Sequence, residues 1–231
     1  MAVGGVVVSG GIHVEGLIKS YGDLMALNKV SLKVDARQQV ALLGLNGSGK
    51  TTLLRIAAGL LEPTKGRVVV AGHTAGSLEA RAAVSFIPDN PVLYDDLSLE
   101  EHLEYVARLH GKEEWEPYAA ELVTRLGLAD RIEDLPATFS RGLRQKVSIA
   151  LAYVRPFEVL LVDEPFVGLD TPGQETLLEL LAEAAGRGAA VVVSTHQVAY
   201  LGRADRCIGL RDGKVVYDGK PTASAEDEIL R

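Results

Sequence analysis

The chain runs to 231 residues, 47% of them hydrophobic, with a formal charge of −7 and a single cysteine. That length buries a sizeable core unaided, and one cysteine excludes an internal disulfide framework. The acidic balance argues against a nucleic-acid binder that works through a broad basic surface.

Residues 1–11 are glycine-rich and lack the basic start and long apolar stretch of a secretory signal, so they read as a flexible lead-in. Alternating segments at 13–18 and 30–34 predict antiparallel strands joined around Tyr21 and Gly22. Gln39–Leu43 is a short apolar run of the buried-strand kind, and residues 52–58 carry helical spacing that closes at Gly59. Between them, Gly44-Leu45-Asn46-Gly47-Ser48-Gly49-Lys50-Thr51 fits the phosphate-loop pattern G-x-x-x-x-G-K-[ST]. Its glycines let successive backbone N–H groups point into one concavity, and the helix beginning at its rim adds the positive end of its dipole. A triphosphate is the natural occupant, with Lys50 reaching the β- and γ-phosphates and the Thr51 hydroxyl on Mg²⁺. The bland alternative is a glycine turn between strand and helix, which eight matching positions in this context outweigh.

Further strands are predicted at 66–70 and 83–87. From 97 to 154 the pattern turns helical. Ser98 with Glu100 and Glu101 marks a helix start, and Leu99, Leu103, Val106 and Leu109 recur at helical spacing before Gly111. A second helix is predicted at 114–126, ending at Gly127, and a third from Arg141 or Gly142 to Tyr153, ahead of Pro156. The continuous apolar runs at 159–162 and 189–193 suit parallel strands buried on both faces, with 174–185 as a crossover helix between them. Cys207 sits in a strand-like run as a small core residue, and Asp212-Gly213 marks a closing hairpin. No apolar run reaches the roughly 18–20 residues that cross a bilayer, so the expected location is the cytosol or the cytosolic side of a membrane. Without internal repeats or a low-complexity linker, the helical stretch reads as an insert in one domain.

Four further motifs follow in order: Ser140-Arg141-Gly142 opening the third helix, Asp163-Glu164-Pro165 after an apolar run, Gly168-Leu169-Asp170, and Ser194-Thr195-His196 after another apolar run. With the phosphate loop upstream, and over roughly residues 12–216, this order resembles the ATP-binding subunit of ABC transporters. Read alone, Asp163-Glu164 is equally a solvated pair at a strand end, Tyr21 a strand-edge packing residue, and His196 a surface or core histidine. The resemblance implies more specific roles. Asp163 holds Mg²⁺ directly or through water, Glu164 polarises the attacking water as general base, and His196 contacts the γ-phosphate. Glu164 would face away from Asp163 if the strand geometry persisted. Tyr21 stacks on adenine, and Asn46, Gly47, Ser48, Gly49, Lys50, Thr51 and Thr52 hold the phosphates. Ser140 and Gly142 embrace the γ-phosphate of ATP bound to a second subunit, so that two copies arranged head to tail complete two sites. Asp170 is expected near that interface.

The expected fold is an α/β phosphate-loop NTPase core with a mainly parallel sheet, an antiparallel β subdomain and a helical subdomain. Residues 12–96 and 155–231 form the catalytic core, and 97–154 form the helical subdomain, whose Ser140-Arg141-Gly142 resembles the family signature. The implied ligands are ATP and Mg²⁺. The implied partners are an integral membrane permease and a second ATP-binding subunit, with no nucleic acid. The protein would sit peripherally on the cytoplasmic face of the membrane, and the permease would dock near 88–97.

Two positions depart from the family pattern. Asp89 stands where glutamine is usual: it can still ligate Mg²⁺, but it adds charge and cannot donate a hydrogen bond, a role left to Asn90. Arg141 stands where glycine is usual, so its side chain must point away from the nucleotide or add a cation to the phosphates. With Gly142-Leu143-Arg144-Gln145 following, the variant looks more like exporters with a separate permease than like importers. A soluble ATPase of the same type serving repair, translation or cluster assembly is the alternative. A regulatory nucleotide-binding module without turnover is a third reading, against which Glu164 and His196 both speak.

Overall fold

Alternating side-chain direction along continuously apolar strands feeds two cores, with one sheet as the partition between them. The computed structural model describes residues 10–195, 198–222 and 229. Its strands are β1 (Ile12–Tyr21), β2 (Leu24–Val34), β3 (Gln39–Leu43), β4 (Lys65–Val70), β5 (His73–Thr74), β6 (Val84–Ile87), β7 (Val159–Asp163), β8 (Ala190–Ser194), β9 (Arg206–Arg211) and β10 (Lys214–Gly219). Its helices are α1 (Lys50–Ala57), α2 (Leu78–Ala83), α3 (Leu99–Leu109), α4 (Glu116–Arg125), α5 (Arg141–Tyr153), α6 (Thr171–Gly186) and α7 (Val198–Leu201).

The larger sheet runs β10-β9-β3-β8-β7-β6, parallel from β9 to β6 with β10 added antiparallel. Successive residues of its central strands point to opposite faces. Ala41, Leu43, Leu160, Val162, Val191 and Val193 enter one core with α3–α6. Val40, Leu42, Leu161, Ala190 and Val192 enter the other, with α1 and the smaller sheet. Both faces are thus dry, which is why these strands read as unbroken apolar runs. The smaller sheet, β2-β1-β4-β5, is antiparallel and covers the second core. Helices α3 to α5 fall between β6 and β7 in the chain.

Most predicted elements are present, with shifted ends. Helix α1 starts at Lys50, two residues early, because Gly49 takes a left-handed φ of 107° and the helical turn begins directly after it. Helix α6 starts at Thr171, three residues early, because the Asp170 carboxylate caps it by accepting from the Gly173 N–H at 3.1 Å. Helix α2 has no counterpart among the predicted elements, because six residues are too few to show a helical period, although Ser77 caps it. Leu109, expected on the buried stripe of α3, is exposed, while Leu99 and Leu103 are fully buried. Of the lead-in, residues 1–9 lie outside the described residues. Gly11 is held in place, its carbonyl accepting from the Ala71 N–H at 2.8 Å.

Candidate functional site

The parallel strands all deliver their carboxyl ends to one edge of the sheet, the edge where open α/β sheets receive ligands. Ser194 at the end of β8 lies in register with Asp163 of β7 and with Leu42 of β3. The glycine loop follows β3, Glu164 follows β7, and Asp89 lies two residues beyond β6. A cavity of about 370 Å³ opens there, lined by residues 46–52, Asp89, Glu164, Tyr21 at the end of β1, and Leu24, Met25 and Ala26 at the start of β2. The structure therefore brings Tyr21, Asn46, Gly47, Ser48, Gly49, Lys50, Thr51, Thr52, Asp89 and Glu164 around one space.

Local chemistry in this cavity favours an anion. Gly47 and Gly49 both adopt positive φ, and a side chain at Gly49 would meet the Ala26 carbonyl oxygen at 2.7 Å. Helix α1 begins without a side-chain cap and without an acidic residue in its first turn, so its N–H groups and dipole remain available. The buried Ser48 hydroxyl has no hydrogen-bond partner. Lys50 is buried, with Nζ donating to the Gly44 carbonyl at 2.7 Å and the Leu45 carbonyl at 3.3 Å, and 3.7 Å from Glu164 Oε1. A buried ammonium held chiefly by carbonyls is a cation ready for phosphate. Tyr21 is half exposed at the rim, with Lys19 Nζ 5.1 Å from its ring centroid.

Asp163 is buried and does not line the cavity wall; its Oδ1 accepts from the Ser194 hydroxyl at 2.5 Å. Glu164 reaches the cavity by a route other than strand alternation. The strand stops at Asp163, Glu164 turns left-handed at φ 44°, and its N–H donates to Ser194 at both the carbonyl (3.0 Å) and the hydroxyl (3.1 Å). Ser194 thus organises both acidic residues, and sequence reasoning gave it no role. The available signal was a lone hydroxyl closing a valine strand opposite an aspartate.

No cluster of three or more His, Cys, Asp or Glu that could hold a metal ion exists among the described residues. Mg²⁺ needs no such cage, because it keeps waters and takes one or two protein oxygens besides those of the substrate phosphates. The Thr51 hydroxyl and the Asp163 carboxylate suit that donor set. His196 lies outside the described residues.

Ser140 and Gly142 stand apart from this cavity, at the start of α5. The Ser140 hydroxyl caps the helix, accepting from the Leu143 N–H at 3.3 Å. A side chain at Gly142 would run into the Gly168 carbonyl oxygen, so glycine is required for α5 to lie against the loop that follows Glu164. One turn on, Lys146 pairs with Asp170 at 2.9 Å, and this bond holds the aspartate below the usual carboxylate range. The two positions that depart from the family pattern meet each other: Arg141 Nη2 lies 2.7 Å from Asp89 Oδ1. Asn90, considered as a replacement donor toward the nucleotide, instead donates to Asp89 Oδ2 at 2.9 Å.

A second, wider groove of about 1000 Å³ lies between the sheet edge and α3, lined by apolar residues including Phe86, Val92, Leu93, Val106, Leu109 and Leu151. Val92 within it is 94% exposed. None of the described helices is long and apolar enough to cross a membrane.

Known proteins resemble this chain in sequence and in fold. Residues 27–167 match the family described as ABC transporter. The chain is 39% identical over 209 residues to the ABC-type transporter ATP-binding protein EcsA of Bacillus subtilis (strain 168), covering 88% of this chain and 85% of that protein. It is 34% identical to the SkfA peptide export ATP-binding protein SkfE of the same organism, covering 90% and 88%. Among solved structures, the ATP-binding subunit of an ABC transporter superposes with a TM-score of 0.87 at 35% identity, over 91% of this chain and 90% of that one. A dimeric ATP-binding cassette in a post-hydrolysis state, bound to ADP and Pi, superposes with a TM-score of 0.81 at 28% identity, over 92% and 99%.

Proposed function

This chain belongs to the ABC transporter family of ATP-binding proteins, and from that premise we propose that it hydrolyses ATP to drive export through a separate membrane permease. The observation carrying the reading is the single cavity that joins Tyr21, the uncapped glycine loop with Lys50, and Glu164. In this proposal Tyr21 stacks on adenine, residues 46–52 cradle the phosphates, and Lys50 leaves its carbonyl partners for the β- and γ-phosphates. Mg²⁺ would be held by Thr51 and Asp163, with Asp89 beside it, and would neutralise phosphate charge. Glu164 orients the attacking water and accepts its proton, and His196 is assigned to the γ-phosphate.

Ser140 and Gly142 are proposed to serve the nucleotide of a second copy, since they lie outside this chain's own cavity. The head-to-tail pair would close on ATP and reopen after cleavage. Residues 97–154 form the signature subdomain, and the groove around Val92 receives a cytosolic helix of the permease. Export is favoured by likeness to SkfE, named for peptide export.

Phosphate release and light scattering test the reading together. Lys50→Ala should lose ATP affinity, and Glu164→Gln should bind ATP, accumulate as a dimer and lose most turnover. Parental turnover in Glu164→Gln would remove Glu164 from the role of base. Co-purification with a membrane protein supports transport; stable purification alone from membranes and cytosol, with full ATPase activity, favours the soluble alternative.

A further inference from the structure

We propose that Arg141 is a positioning residue for the chain's own nucleotide site: it holds and screens the Asp89 carboxylate at the cavity mouth, so that the triphosphate meets a neutralised rim. This rests on reading the cavity as an ATP site.

Three observations support it. Asp89 lines the same cavity as Glu164, so two carboxylates face a space otherwise built for an anion. Arg141 lies at the first turn of α5, outside that cavity, yet its guanidinium reaches across 52 positions of sequence to bond Asp89 at 2.7 Å. The loop carrying Asp89 is also held independently. It lies between Pro88 and Pro91, and Gln145, one helical turn after Arg141, donates to the Pro88 carbonyl at 3.4 Å. Arg141 and Gln145 therefore grip one loop from one face of α5.

Folding stability does not explain the pair. Its side chains are 47% and 36% exposed, and ion pairs so exposed contribute little to the folded state. An electrostatic role remains, because an unscreened carboxylate beside a bound polyanion raises its dissociation constant even when the fold is unchanged. The same contact makes the start of α5, where Ser140 and Gly142 lie, sensitive to the charge at the cavity mouth.

Calorimetric titration of ATP and ADP, in EDTA to keep Mg²⁺ out of the comparison, provides the test. Arg141→Ala should weaken ATP binding by about tenfold and ADP binding by less, with the difference shrinking at high salt. Arg141→Lys should recover most of the loss, and Asp89→Asn/Arg141→Ala should return to within about twofold of the parent. Unchanged ATP affinity in Arg141→Ala, or a double variant as weak as that single one, overturns the proposal. Should Arg141→Ala not fold, Asp89→Asn decides: ATP binding at least as tight as the parent supports the proposal, and weaker binding refutes it. Equal affinity of the parent and Lys50→Ala would instead remove the ATP site itself.

Discussion

Ser194 and Asp163 face each other across two adjacent parallel strands, and the serine hydroxyl donates to the carboxylate at 2.5 Å while also accepting from the Glu164 N–H. One side chain therefore fixes the direction of a buried acid and, with the Ser194 backbone carbonyl, braces the turn that throws Glu164 into the cavity. Removing it with Ser194→Ala should lower turnover by roughly 10–100-fold, the cost of about 1–3 kcal/mol for a charge-assisted bond, while nucleotide affinity changes little. Steady-state phosphate release with a separate binding titration checks this. A parental kcat would show that Asp163 and Glu164 hold their places unaided.

Gly142 supports the approach of α5 to the loop after Glu164, since any β-carbon there meets the Gly168 carbonyl. Gly142→Ala should destabilise the fold by about 1–3 kcal/mol through forced separation of two backbones. Thermal denaturation reads this directly, and an unchanged midpoint would mean that α5 is free to shift.

Asp170 caps α6 and pairs with Lys146, and that bonding lowers its folded-state pKa. A depressed carboxyl stabilises the fold above its unfolded-state pKa, and the contribution fades as pH falls through the folded-state value. Asp170→Asn keeps a capping side chain but loses the charge, so it should be slightly less stable than the parent at neutral pH. The two should converge in the acid range. Because the side chain is more than half exposed, the difference at neutral pH should stay within about 1 kcal/mol. Denaturant melts across pH provide the measurement, and a gap that widens in acid would contradict the linkage.

Val92 is almost fully exposed along a wide, largely apolar groove. Val92→Asp should leave folding stability within about 0.5 kcal/mol of the parent, as for most surface changes, while disrupting capture of the permease proposed to dock there. Pull-down from solubilised membranes decides it; undiminished capture would place docking elsewhere.

Cys207 lies fully buried in β9, and burial, aided by the negative charge of Asp218, pushes its thiol up to about 11. At pH 8 only about a thousandth of it is thiolate, so a chromogenic disulfide reagent should find no reactive thiol in the native protein. One equivalent should appear on unfolding. Rapid native-state labelling would show that β9 opens readily.

Much of the architecture was legible because local rules decide it. Unbroken apolar runs gave β7 and β8, the Asp-Gly pair gave the last hairpin, and Ser98 with Glu101 forms the capping box that starts α3. The phosphate loop was legible for the same reason, since its glycines, lysine and threonine are contiguous. Element ends were harder. The start of α6 depends on whether Asp170 caps or continues the loop, and six-residue α2 has no period to detect.

The amino-acid order alone determined which residues could hold a triphosphate, because eight neighbouring positions build that loop by their own backbone preferences. The tertiary structure decided how distant residues meet. It placed Ser194 against Asp163, turned Glu164 inward by a left-handed residue where alternation had been expected, and joined Asp89 to Arg141. Contacts across 31 or 52 positions follow from strand order and helix packing, which no local pattern encodes.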